Sequence, residues 1–186
     1  MVRWEPDARG RLEQAAMDLY GERGFEQTTV AEIATRAGLS ERTFFRHFAD
    51  KREVLFSGAA ALQELLVTSV ASAPDQIAPM DCVVAALEAA GAVLQERRHG
   101  ARLRQNVIAA NVELQERELI KLASLASAIA NTLRERGVAD PGASLAAEAG
   151  IAVFRIAFER WIVDTEQDLP QLIRESRESL RVVTAG

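Results

Sequence analysis

Residues 28–51, TTVAEIATRAGLSERTFFRHFADK, contain the signals of two short helices joined by a tight turn. Thr29 is a good N-terminal cap, and Glu32, three residues later, completes the pattern of a capping box. Gly38 supplies the left-handed conformation that commonly ends such a helix. Ser40 then stands where it can cap a second helix. Two helices joined by about three to four residues that include a glycine are typical of the helix-turn-helix motif.

The second helix, Glu41 to Phe48, has an apolar side and a polar side. Phe44 and Phe48 lie one turn apart and define the buried side. The opposite side and its edge suit a DNA major groove, where an arginine can bond guanine O6 and N7 and a threonine methyl can meet a thymine methyl. These polar residues are Arg42, Thr43, Arg46 and His47. A surface helix with solvated charges is the alternative, but the turn and the flanking caps favour DNA reading.

A third helix begins at Lys51, with Asp50 and Glu53 as capping residues. A lysine at a helix N-terminus opposes the helix dipole, so we expect a DNA phosphate to compensate for it. This connecting helix should extend over residues 51–72, before Pro74. At ~1.5 Å per residue it would span about 30 Å, which is long enough to join a DNA-binding domain to a second domain.

The composition of the chain indicates an all-α protein, because aromatic residues make up only 5% and strand-like alternation is absent. The net charge of −5 does not by itself indicate a nucleic-acid binder. Residues 1–52, however, contain nine basic and nine acidic residues, so the acidic excess lies entirely beyond them. We therefore expect the phosphate-driven, sequence-independent part of any DNA affinity to be small.

Several classes of protein are disfavoured. The single cysteine, Cys82, excludes an intrachain disulfide and fits a reducing cytoplasm. No uncharged apolar run reaches the length of a membrane span, and the N-terminus lacks a secretory signal. His47 and His99 are the only histidines, and no metal-ligand cluster, phosphate-binding glycine loop or nucleophile elbow is present. The sequence therefore predicts a cytoplasmic protein that is not an enzyme and needs no cofactor or metal.

The second half of the chain is rich in alanine, leucine and valine and reads as five further helices. We expect them at residues 79–98, 101–111, 113–136, 143–164 and 169–183, with Gly100 as one of the breaks. Before the motif, a first helix that ends at Gly24 has an apolar stripe of Leu12, Ala15, Ala16, Leu19 and Tyr20, which gives about nine helices in all. The stretch Leu145 to Val163 is apolar almost all round, so it must be covered on several sides. Together with the apolar residues of the last helix, it predicts a helical dimer interface.

Residues 24–55, GFEQTTVAEIATRAGLSERTFFRHFADKREVL, resemble the DNA-binding signature of TetR/AcrR-family transcriptional regulators. The resemblance covers roughly residues 9 to 56. The resemblance implies a DNA-binding domain at residues 1–50 and a ligand-binding and dimerisation domain at residues 51–186. It also implies a homodimer formed through the last two helices, and a palindromic operator follows from that symmetry. The implied function is a repressor that a small hydrophobic or amphipathic ligand releases from double-stranded DNA.

The family pattern also implies individual DNA contacts. Thr29, Thr43, His47 and Lys51 match contact positions, mostly to phosphates except for Thr43. Phe45 stands where family members often carry a tyrosine, and without a hydroxyl it cannot bond a phosphate. Glu41 could accept from cytosine N4, although a favourable interaction with the helix dipole explains it more simply.

An effector site is less well defined by the sequence. Polar residues that would be unusual in a plain core are the starting point, but Arg155 and Glu159 could simply pair with each other and the asparagines could end helices. The alternative is a mostly apolar pocket with a few orienting polar groups. Its candidate residues are Leu94, Asn106, Asn111, Leu125, Arg155, Phe158 and Trp161. The stretch from residue 101 to Gly137 is also similar to regulators of the mycofactocin-system type, which would imply an acyl-CoA or another amphipathic effector. A DNA-binding dimer without an effector stays open.

Overall fold

The computed structural model describes residues 7–164 and 166–185, which form ten helices and no strand. The all-α class expected from the sequence is confirmed. The helices are α1 (Ala8–Arg23), α2 (Val30–Arg36), α3 (Glu41–His47), α4 (Lys51–Leu55), α5 (Ala59–Ala71), α6 (Pro79–Gln95), α7 (Arg98–Ala109), α8 (Val112–Glu135), α9 (Gly142–Val163) and α10 (Leu169–Thr184). The last five begin and end within three residues of their predicted bounds, except that Gly100 lies inside α7 rather than at a break. None of the described helices is both long and apolar enough to cross a membrane.

We expected a single connecting helix over residues 51–72. That expectation is wrong, because the chain forms two helices there, α4 and α5. The Phe56 side chain is buried in the core of the N-terminal helices, which turns the backbone out of the helical path. The carbonyl of Leu55 accepts a hydrogen bond from Arg104 Nε at 2.7 Å. Gly58 follows, and glycine is unfavourable in a helix interior. The break therefore has a tertiary cause that the local sequence pattern does not reveal.

The chain divides into two compact units. The first comprises the residues up to Gly58 together with Arg102–Glu116, and the second comprises Ala59–Ala101 together with Arg117–Gly186. These units differ from the division expected at residue 50, because the end of α4 contributes buried side chains to the first core. As a boundary between functions, residue 50 stays a prediction.

The first unit is held together by one apolar core beneath α3. Helix α1 buries one side in this core, and the end of α7 and the start of α8, from the middle of the sequence, complete it. Its fully or nearly fully buried side chains include Leu12, Leu19, Tyr20, Phe25, Ile33, Phe44, Phe48, Ile108 and Leu114. The short helices α2 and α3 therefore owe their stability to this core rather than to their length.

The turn between α2 and α3 has the geometry that the sequence predicts. Gly38 has φ 66°, in the left-handed region, and the Leu39 N–H bonds the carbonyl of Ala34 at 2.8 Å. This is the hydrogen-bond pattern of a glycine-ended helix. Arg11 on α1 adds a clamp, since its guanidinium donates to the carbonyls of Ala37 and Gly38. The angle at which α3 leaves α2 is therefore set by both the backbone and a side chain.

The second unit packs α6 against α9 and α10 around a large apolar core. Gly150 on α9 allows close approach, because a Cβ atom there would lie 2.4 Å from Val83 Cγ1. Gly91 has the same role against α10, where a Cβ atom would lie 3.0 Å from Ile173 Cδ1. Trp161 is completely buried in this core.

Candidate DNA-binding interface

The two helices of the motif are capped as the sequence predicts. Thr29 and Glu32 form a complete capping box at the start of α2. At the start of α3, Ser40 Oγ accepts a hydrogen bond from the Thr43 N–H at 3.2 Å. The Asp50 carboxylate accepts from two backbone N–H groups at the start of α4. Each cap satisfies donors that a helix N-terminus leaves without an intrahelical partner.

Phe44 and Phe48 anchor α3 to the core. Their side chains are 0% and 4% exposed, and their ring centroids lie 5.5 Å apart. The predicted buried side of the helix is thus confirmed. Because this side is held from below, the opposite side of α3 faces solvent at a fixed orientation relative to the first unit.

The exposed side of α3 carries cations without acidic partners. Arg42 and Arg46 are both exposed, and neither forms an ion pair with any residue that the structure describes. Elsewhere in the first unit, glutamates pair with Arg9, Arg23 and Arg36 at 3.0, 2.7 and 2.8 Å. The two guanidiniums on α3 are therefore free to bond an external acceptor, and bidentate bonding to guanine is the strongest use of that geometry in a major groove.

Thr43 and His47 lie at the edge of this side and are half-buried. The Thr43 hydroxyl lies 3.0 Å from the Ser40 hydroxyl, so it is held by the cap and turned toward the start of the helix. His47 Nε2 is buried and has no hydrogen-bond partner among the residues that the structure describes. A DNA contact through Nε2 would therefore require the imidazole ring to turn outward.

Thr29 is exposed, but its hydroxyl is already engaged. It donates to Glu32 Oε2 at 2.9 Å, and the Thr29 backbone N–H donates to the same oxygen at 2.9 Å. These hydrogen bonds hold the pKa of the Glu32 carboxyl below its usual range. Arg23 pairs with the same carboxylate at 2.7 Å and offsets its charge. A phosphate at Thr29 would have to share the hydroxyl with this group.

Lys51 has an internal role that the sequence did not predict. Its ammonium donates to the carbonyls of Phe25, Thr28 and Glu26, at 2.8, 3.0 and 3.3 Å, and lies 4.4 Å from the centre of the Phe25 ring. Three donors thus meet three carbonyls at the end of the turn between α1 and α2. The expected phosphate contact would require Lys51 to release one of these bonds.

Tyr20 completes this connection from the other side. Its hydroxyl donates to the carbonyl of Lys51 at 2.6 Å, and burial, with a contribution from the charge of Asp50, raises the pKa of the phenol well above its usual value. Tyr20 is therefore a neutral donor in this hydrogen bond at neutral pH. The sequence pattern identified Tyr20 as a core residue, but contained no signal for its hydroxyl partner.

The structure does not bring the seven candidate effector residues together in one unit. Asn106 and Asn111 belong to the first unit, and Asn111 donates to the Val107 carbonyl at 2.7 Å, as expected of a residue that ends a helix. In the second unit Leu125 and Trp161 are buried, Leu94 and Phe158 are half-buried, and Arg155 is exposed. Asn106 and Asn111 lie in the first unit because the C-terminal half of α7 and the start of α8 contribute to its core, and the effector site itself stays a prediction.

Two further features bear on ligands. The indole N–H of Trp161 donates to Gln95 Oε1 at 2.7 Å, so its polar atom is satisfied internally. The first unit has an open groove of about 450 Å³, lined by Tyr20, Gly21, Arg23, Gly24, Phe25, Glu26, Gln27, Leu103, Asn106, Val107, Ala110 and Asn111. Within the described residues, no group of three or more His, Cys, Asp or Glu side chains could hold a metal ion.

Comparison with known families agrees with this geometry. Residues 13–57 match the family model described as bacterial regulatory proteins, tetR family, and residues 77–185 match the model described as MftR C-terminal domain. The chain belongs to the TetR family. It is a DNA-binding transcriptional regulator, and its C-terminal part is of the MftR type.

Individual relatives of this TetR-family regulator are also transcriptional regulators rather than enzymes. The putative mycofactocin biosynthesis regulator MftR of Mycobacterium tuberculosis is 25% identical over 165 residues, which cover 87% of this chain and 83% of MftR. The regulator TcmR of Streptomyces glaucescens is 35% identical over 81 residues, 44% of this chain. That match spans only 36% of the length of TcmR.

A solved structure has the same fold. FadR from Bacillus subtilis, in complex with stearoyl-CoA, aligns with a TM-score of 0.65 over 91% of this chain and 95% of FadR. At 19% sequence identity this likeness concerns the fold alone. It agrees with an N-terminal helix-turn-helix followed by a larger helical part.

The internal bonds of Lys51 generate a prediction. Lys51→Met retains an unbranched apolar stem but removes three hydrogen bonds, and we expect the free energy of unfolding to fall by about 1–2 kcal/mol. The affinity for specific and for scrambled DNA should fall by the same factor, because the turn that precedes α2 loses its hydrogen bonds to Lys51. Urea unfolding and fluorescence anisotropy on specific and scrambled duplexes measure the two effects, with the exposed neighbour Arg52→Met as the control. Weaker DNA binding at unchanged stability would instead indicate a phosphate contact.

Proposed function

We propose that this regulator is a homodimeric repressor that reads a palindromic operator through α3 and leaves it when a small hydrophobic or amphipathic ligand binds. The observation that carries the proposal is the exposed pair of unpaired arginines on a helix anchored by Phe44 and Phe48. A rigidly held helix with free guanidiniums is the arrangement that major-groove reading requires.

The surroundings of each candidate residue indicate whether it would contact base edges or phosphates. Arg42 and Arg46 are free and would contact base edges, while Thr43 lies beside them at the start of the helix. Residues engaged in caps or internal bonds would position the motif and contact phosphates at its edge; these are Thr29, His47 and Lys51. Because the first 52 residues have no net charge, base contacts would contribute much of the operator affinity.

Arg46 and Thr43 give the test of base reading. Arg46→Ala should reduce the preference for operator over scrambled DNA, by ~1–3 kcal/mol if Arg46 bonds a guanine. Thr43→Ala should reduce the same preference by less, since it removes a methyl contact. Competition titrations with labelled operator measure both effects. Arg52→Ala, outside α3, is the control, and an unchanged preference in Arg46→Ala would exclude Arg46 from base reading.

The exposed side of α9 supports the proposed dimer. Leu145, Ile156 and Val163 are 65%, 49% and 79% exposed, although they lie on an otherwise buried helix. Ala149 and Ala152 fall between Leu145 and Ile156 at alternating spacings of four and three residues, and Val163 follows seven residues after Ile156, which is the spacing of a helix-pairing seam. An exposed apolar stripe of this kind, with Glu159 standing between Ile156 and Val163, is typical of a protein interface. Arg155 and Glu159 form no ion pair with each other in the described chain, which leaves both available to a partner.

A charge introduced into this stripe should separate the protomers. Ile156→Glu would bury a carboxylate in the proposed interface, so we expect a monomer in analytical ultracentrifugation. Operator affinity should fall by about 100-fold or more, because the two half-sites would no longer be bound together. Leu119→Glu is the matched control, since Leu119 is an exposed apolar residue, at 57%, on α8, which the proposed interface does not include. A dimeric Ile156→Glu protein would contradict the proposed interface.

The proposed effector rests on the MftR-type C-terminal part and on FadR, which has the same fold and binds stearoyl-CoA. In the second unit, three aromatic rings form a row, in which Phe154 and Trp161 are buried in the core and Phe158 packs against it. The ring centroids of Phe154 and Phe158 lie 5.8 Å apart, and those of Phe158 and Trp161 lie 5.5 Å apart. Phe158 and Leu94 are only half-buried, so they are the side chains of this group that a ligand could reach with the least rearrangement.

Ligand response can be tested directly. We expect stearoyl-CoA or lauroyl-CoA to raise the melting temperature and to weaken operator binding by about 5–150-fold, the usual range of allosteric coupling. Free coenzyme A is the control for the headgroup, and rhodamine 6G represents lipophilic drugs. Differential scanning fluorimetry and mobility shift assays give the two readouts. If none of these compounds has either effect, the effector-free dimer is the better description.

A further inference from the structure

Phe45 is an exposed aromatic residue in the middle of α3. Its side chain is 55% exposed, whereas that of the neighbouring Phe44 is completely buried. The two rings meet edge to face, with centroids 5.5 Å apart and an interplanar angle of 84°. The Phe45 side chain is therefore partly fixed, because its ring contacts the ring of Phe44, which anchors the helix.

Phe45 shares one side of α3 with the two free arginines. At about 100° per residue, Arg42, Phe45 and Arg46 lie within an arc of roughly 100°. All three are exposed. If the guanidiniums of Arg42 and Arg46 enter a DNA groove, the exposed Phe45 ring faces the same stretch of DNA.

The chemistry of the ring limits what it can contact there. Phe45 has no donor or acceptor, so it cannot bond a phosphate or a polar base edge. The apolar feature of a major groove is the C5-methyl group of thymine. Covering an exposed ring with that methyl group removes apolar surface from water on both partners, which favours binding.

We propose that Phe45 contacts a thymine C5-methyl group in each operator half-site and so specifies thymine at that position. This inference rests on the proposed function, because it requires α3 to lie in the major groove. The contact adds an apolar element to recognition by Arg42 and Arg46. The alternative contact for the Phe45 ring is a deoxyribose, which would contribute affinity without sequence preference.

Uracil substitution isolates the methyl group. The full-length protein is first used to select duplexes from a random-sequence library, and each thymine of the selected duplex is then replaced singly by uracil, which removes the methyl group and keeps the base pair. We expect one thymine in each half-site at which uracil weakens binding by about fourfold, the value of one buried methyl-sized group.

Variants assign that methyl group to Phe45. In Phe45→Ala, the difference in affinity between duplexes with thymine and with uracil at the sensitive position should disappear. Phe45→Leu should retain part of that difference. Arg42→Ala is the matched control, because it should weaken binding yet leave the thymine-to-uracil ratio unchanged. Melting curves of each variant verify folding, which an exposed position should tolerate.

The outcomes separate the two proposals. If the protein selects no sequence from the library, DNA reading by α3 fails and the role of Phe45 fails with it. If a sequence is selected but uracil is neutral at every position, or if the ratio persists in Phe45→Ala, only the role of Phe45 is overturned. A uniform loss of affinity in Phe45→Ala, with no methyl dependence, would identify the sugar contact instead.

Discussion

Burial of Phe44 and Phe48 beneath α3 is the interaction on which the rest of the first unit depends. Helix α3 has seven residues, and a helix of that length is not stable alone in water. Its hydrogen bonds persist because one side is held in an apolar core and its N-terminus is capped by Ser40. The same two phenylalanines determine which residues point away from the core. Stability and recognition therefore arise from a single arrangement of the helix.

Side chains bonded to the backbone hold the motif around α3. Arg11 clamps the turn between α2 and α3, and Lys51 clamps the turn between α1 and α2. Tyr20 connects α1 to the start of α4 through the Lys51 carbonyl. Each clamp replaces hydrogen bonds to water with bonds inside the unit, and its net value is modest. Their common effect is to restrict the relative orientation of short helices that share little apolar surface.

Local signals in the sequence were sufficient for the motif but not for its tertiary partners. The caps at Thr29 and Ser40, the positive φ of Gly38 and the burial of Phe44 depend on neighbouring residues and periodicity, and the structure confirms them. At the break after α4, the Leu55 carbonyl accepts a hydrogen bond from Arg104, 49 residues away, and no periodicity encodes that contact. The partners of Lys51 and the assignment of Asn106 and Asn111 to the first unit likewise required the fold. The side chains that contact DNA or an effector stay predictions, because their partners are external to the chain.

Charge distribution explains why such a regulator would need two recognition helices. The first 52 residues carry no net charge, and the acidic excess of the chain lies beyond them, so general attraction to phosphates is weak. One seven-residue helix contacts few base pairs, and its affinity alone would be low. Two such helices joined in a dimer bind half-sites about one helical turn apart, and their contributions combine only when their spacing matches the DNA. A small change in that spacing would then release both helices together, so a ligand would need to supply only a modest coupling free energy to control transcription.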